Sequence, residues 1–176
     1  MKSFISFILS VLFLLFVVVS HFFFSYVLPF PWSTVNIIFA VLILFLLFSQ
    51  KGTVVWMAFF THLCIELYSV SPFGIVLSSS TLSVLVMFWL FQYFFTNRSW
   101  YSSIVLTFFS LAFYRFVSFI LLNIVAFFQK QPGIPVSHFF ILSMWEFFFT
   151  QIIVLFGFVV LNQFEKNKRK KQFKLL

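Results

Sequence analysis

Between Ser3 and Gln163 the chain carries only six charged side chains, Lys51, Glu66, Arg98, Arg115, Lys130 and Glu146, separated by long apolar runs. A soluble fold of 176 residues would leave a surface needing far more charge than 11 basic and 3 acidic residues supply. With 63% of its residues hydrophobic and 8% charged, the chain must meet lipid over most of its surface.

A helix needs roughly 20 apolar residues to cross about 30 Å of hydrocarbon. The polar punctuation divides the chain into six such segments, at about 4–28, 34–50, 54–70, 74–95, 100–129 and 137–163. The breaks have physical causes. Pro29 and Pro31 remove backbone donors, Gln50-Lys51-Gly52 and Asn97-Arg98 place polar groups at interfaces, and Ser71-Pro72 and Gln129 to Gly133 interrupt helices. The first run follows Lys2 as a signal peptide would, but it is too long and lacks a small-residue cleavage site, so it is expected to remain as the first span. The fold predicted is an all-α bundle of about six transmembrane helices over residues 1–165, followed by a basic tail at 166–176.

Six crossings place both termini on one side of the membrane. That side collects Lys2, Lys51, Arg98 and the tail residues Lys166, Lys168, Arg169, Lys170, Lys171 and Lys174, nine basic side chains against Lys130 alone opposite. The positive-inside rule then predicts cytoplasmic termini in an inner or plasma membrane. A basic cluster directly after an apolar segment is a lipid anchor rather than a nucleic-acid arm, because its charge meets anionic headgroups and forms no face that follows a phosphate backbone. Membrane lipids are the expected partner, and nucleic acid is not.

Three ionisable residues fall inside the spans, where each costs about 2.5 kcal/mol or more at the bilayer centre on insertion scales. At a rise of 1.5 Å per residue, Arg115 lies about 15 Å below the outer hydrocarbon edge, Glu146 about 8 Å and Glu66 about 6 Å. Arg115 can reach either carboxylate, and Glu146 is favoured because a short connection makes their helices neighbours. Such a pair fixes helix packing, or else forms part of a ligand site or proton path. Glu66 has a further option, reaching the outer interface beside Tyr68. His62 precedes Glu66 by four residues and so shares its helix face, within reach of a hydrogen bond. His21 and His138 fall near span ends and read as interfacial.

No catalytic constellation is visible. The zinc-protease pattern of two histidines four residues apart is missing, no glycine-rich phosphate loop exists, and Cys64 stands alone, so neither an intrachain disulfide nor a cysteine metal site is expected. The chain is read as non-enzymatic, with no cofactor. Ser78, Ser79, Ser80, Thr81 and Ser83 place small hydroxyl side chains around the start of the fourth span, as a close-packing face or, alternatively, a polar cavity.

The stretch Phe60-Thr-His-Leu-Cys-Ile-Glu66-Leu-Tyr-Ser-Val-Ser-Pro-Phe-Gly74 resembles the short signature of the rod-shape-determining MreD family, in which an acidic residue ends the third helix and a glycine opens the fourth. Glu66 stands where that family usually has aspartate, and Gly74 matches its glycine. The chain departs from the family at Phe60, Thr61 and Leu63, where small residues are usual. The resemblance implies a non-catalytic scaffold subunit of the cell-wall elongation machinery. Its partners would be the membrane-anchored scaffold MreC, the actin-like MreB filament system and a peptidoglycan polymerase and transpeptidase pair. A second class, the substrate-binding subunits of energy-coupling-factor vitamin transporters, shares the length and the six helices. Those subunits typically carry an Ala-xxx-Ala motif on the first helix. Here the first span has no alanine, although Ser6 and Ser10 have the same spacing.

Overall fold

The computed structural model describes residues 2–95, 98–130, 133 and 135–173. They form a helical membrane bundle of six helices: α1 (Lys2–Val27), α2 (Ile37–Ser49), α3 (Thr53–Glu66), α4 (Ile75–Tyr93), α5 (Trp100–Phe128) and α6 (Val136–Phe173). A single 3-10 turn, Trp32–Thr34, lies between α1 and α2. No strand occurs among the described residues.

The helix boundaries follow from local chemistry. Asn36 caps α2 by accepting a hydrogen bond from the Phe39 amide at 3.2 Å, and Gln50 ends it in the left-handed region (φ 56°) with its amide donating to the Leu46 carbonyl. Ser99 caps α5 through the Ser102 amide at 3.1 Å. With 13 and 14 residues, α2 and α3 extend only about 20 Å each, less than the predicted segments 34–50 and 54–70. The four helices long and apolar enough to cross a bilayer are α1, α4, α5 and α6.

The sequence of α2 is apolar on every side because every side is covered. It packs against α1, α3, α5 and α6, and Ile38, Phe39, Leu42, Ile43, Leu46 and Leu47 are fully buried. Helices with lipid-facing stripes surround it, including Phe16, Trp56, Phe116 and Phe156. Glycine appears at one close helix contact: a Cβ built on Gly157 of α6 would lie 2.5 Å from a methyl of Leu44 on α2.

Side-chain contacts fix the direction of each helix. At one end, Arg98, just before α5, donates to both carboxylate oxygens of Glu165 in α6 (2.9 and 2.8 Å) and to the Phe48 carbonyl in the last turn of α2 (2.6 Å). At the other end, Glu66 closing α3 meets the start of α4, and Phe22 near the end of α1 packs edge-on against Tyr68. Successive helices therefore run antiparallel. The beginning of α1 and the end of α6 share the end that holds Lys51, Arg98 and the exposed Lys166. The basic segment continues α6 as helix through Phe173. The side chains of Lys168, Arg169, Lys170 and Lys171, and Lys174 altogether, lie outside the described residues, as does the side chain of His138.

Candidate functional site: two intramembrane polar clusters

The first cluster ties α2, α5 and α6 together. Arg115 Nε of α5 donates to Glu146 Oε2 of α6. The second carboxylate oxygen, Oε1, accepts from the Asn36 side-chain amide at 2.8 Å. Asn36 in turn donates its backbone N–H to Thr150 Oγ1, one helical turn beyond Glu146, at 3.0 Å. Glu146 is 2% exposed and Thr150 is fully buried, so both carboxylate oxygens find donors within protein. The Arg115 guanidinium lies over the rings of Tyr114 and Phe139, 5.5 and 5.6 Å from their centroids, where the aromatic faces favour a cation.

The second cluster is a helix cap. Glu66 Oε1 accepts from the Gly74 amide at 2.7 Å and Oε2 from the Leu77 amide at 2.6 Å. These are two of the unpaired donors at the start of α4, and the carboxylate's charge complements the helix dipole there. Gly74 adopts φ +97°, a conformation that glycine reaches without steric cost. The acid and the glycine eight residues apart thus form one structural unit that turns the chain from α3 into α4.

Of the residues singled out from sequence, Arg115 and Glu146 are brought together, and so are Glu66 and Gly74. His62 and Glu66 are not. The His62 ring nitrogen Nδ1 bonds the Ala58 carbonyl of its own helix at 2.9 Å, while the Glu66 carboxylate points forward to α4. The ring of His62 packs edge-on against Phe39 in the core. His21, expected at an interface, has its Nδ1 buried with no hydrogen-bond partner among the described residues.

The serines of α4 form a helix interface. Ser79, Ser80 and Ser83 are fully buried, and on α5 Ser103 and Thr107 are equally buried and Ser110 nearly so. Most bond back to a carbonyl one turn earlier, as Ser79 does to Ile75 (2.6 Å) and Thr107 to Ser103 (2.6 Å). Two bonds cross between the helices: Ser118 Oγ to Ser79 Oγ at 2.9 Å, and Ser83 Oγ to the Ser110 carbonyl. A groove of about 640 Å³ lies between α1 and α3. Its lining is largely apolar: Leu15, Val18, Val19 and Phe22 on α1 face Cys64 and Leu67.

Sequence reading missed Asn36, Thr150 and the Arg98–Glu165 pair. Two signals were present. An asparagine directly before an unbroken apolar run marks a helix start, and Glu146 and Thr150, four apart, share one face of α6. That Asn36 bonds a residue 110 positions away is a tertiary fact with no local trace. No protein-family model, curated protein or solved structure matches the chain.

Proposed function

We propose that the chain is a non-catalytic membrane scaffold subunit of the bacterial cell-wall elongation machinery, similar to MreD, in the inner or plasma membrane with both termini in the cytoplasm. The observation that carries this reading is how the intramembrane polar groups are used. Glu66 is occupied in capping α4, and both oxygens of Glu146 are taken by Arg115 and Asn36. The α4 serines bond across to α5 or back along their own helix. Carboxylates held in this way tie helices together and suit a lipid-facing body built for helix-to-helix association, even though Thr81 Oγ1 and Gln151 Nε2 are buried without a partner among the described residues, whereas catalysis or vitamin capture needs convergent polar groups facing a common space. The acid and glycine through which the sequence resembles the MreD family form the α3–α4 unit, which agrees with a structural signature. The proposed partners are the scaffold MreC and the elongation proteins assembled with it, and the basic extension of α6 meets anionic lipid. Depleting the protein in its host should change cell width or shape while vitamin uptake stays normal. Vitamin auxotrophy with unchanged shape, together with co-purification of a transport ATPase, would replace this reading with that of an energy-coupling-factor substrate subunit.

A further inference from the structure

The helices differ in length in a way that leaves one part of the bundle standing proud. The Arg98–Glu165 bonds place the start of α5 and residue 165 of α6 at one level, the basic interface. Counting about 20 residues, or 30 Å, from there reaches Ile120 on α5 and Trp145 on α6. Trp145 and its ring partner Phe30 suit the opposite interface. Beyond that level α5 continues to Phe128 and α6 begins at Val136, a hairpin projecting about 12 Å. Its flanks are largely apolar and open, with Gln129 and Lys130 exposed at the tip: Phe127 and Phe128 are 80% and 79% exposed, and Ile124, Val136, Phe140 and Ile141 are exposed as well.

Just below this overhang sits a second unusual feature. Counted from the same interface, Arg115 lies about 8 Å inside the outer edge rather than the 15 Å expected from the middle of its run, and its side chain is 29% exposed although its partner Glu146 is 2% exposed. Only its Nε is hydrogen-bonded among the described residues, so the two terminal amino groups of the guanidinium keep donors to spare in a part-exposed side chain on the outer half of the bundle. Lipid tails offer them no acceptor. The Arg115–Glu146 pair is already neutral, so a further carboxylate would bring an uncompensated charge into low dielectric, whereas a neutral acceptor would bring none.

We propose that the outer half of α5 and α6 is the docking site for a transmembrane helix of a partner protein, one that carries an asparagine or glutamine at the depth of Arg115 and continues apolar past the outer interface along the projecting hairpin. The side-chain carbonyl accepts from the Arg115 amino groups, and the apolar continuation covers the overhang. This specifies the chemistry of the partner in the scaffold reading and rests on that reading for its biological meaning.

The test uses the full chain, labelled with a donor fluorophore, in phosphatidylcholine vesicles with acceptor-labelled synthetic helices. The probes are a 32-residue leucine-alanine host, the same host with one asparagine thirteen residues from its outer end, and a third with the asparagine moved to its inner end. Energy transfer should show the outer-asparagine helix binding about three- to tenfold more tightly than the other two, the range expected for intramembrane hydrogen bonds. The preference should vanish in Arg115→Leu, and Phe127→Ser/Phe128→Ser should weaken all three helices together. Equal binding of the three probes to the unaltered chain would overturn the proposal without relying on any variant. So would transfer between two labelled copies of the chain that outcompetes the probes, since the occupant would then be a second copy. Normal cell shape on depletion would remove the elongation reading and leave the vesicle result standing.

Discussion

Glu146 and Arg115 do not share their burden equally. Replacing Glu146 with Leu leaves a guanidinium that cannot lose its proton and an Asn36 amide without its acceptor. Replacing Arg115 with Leu leaves a carboxylate that still accepts from Asn36 and can take up a proton. Glu146→Leu should therefore cost about 3–5 kcal/mol and Arg115→Leu distinctly less, as measured by unfolding in mixed micelles. Equal costs would mean that the contact contributes little to the fold. Glu66→Ala should lose about 2–3 kcal/mol, because two charge-assisted bonds to the start of α4 disappear together. Glu66→Gln, which keeps one acceptor without the charge, should fall between Ala and the unaltered chain. An alanine variant as stable as the parent would remove the capping role.

Among the elements, α2 packs against α1, α3, α5 and α6, and its contact with α6 at Gly157 leaves no room for a β-carbon. Gly157→Val should push Leu44 aside and destabilise the bundle by about 1–3 kcal/mol. A variant that melts with the parent would show that α2 and α6 have room to separate. The existence and order of the helices were legible because apolar runs broken by proline, glycine and charge leave few alternatives: predicted segments 100–129 and 74–95 differ from α5 and α4 by at most two residues at either end. The start of α2 was legible only as the Asn36 cap signal, and what holds that cap in place was not. Val35 is as apolar as its successors, and only the Asn36 cap, held by Glu146 and Thr150 from the far end of the chain, sets where the helix begins. The same holds for Glu66, whose residue type and spacing to Gly74 stood out while its bonding to the Leu77 amide depended on how the intervening loop folds.

For the molecule as a whole, antiparallel succession gathers the start of α1, the end of α6, Lys51 and Arg98 at one end of the bundle and leaves Lys130 near the other. The proposed orientation puts the basic end in the cytoplasm, where anionic lipid and the assembly's cytoplasmic members would meet it. The proposed scaffold role depends on that orientation. It is tested most directly by single cysteines placed at Lys51, Gly133 and Asn167 in a Cys64→Ser background, treated in intact cells with a membrane-impermeant maleimide. Labelling at position 133 alone, with positions 51 and 167 reacting only after the cells are opened, is the expected result. Labelling of position 51 or 167 in intact cells, or protection of position 133, would contradict it.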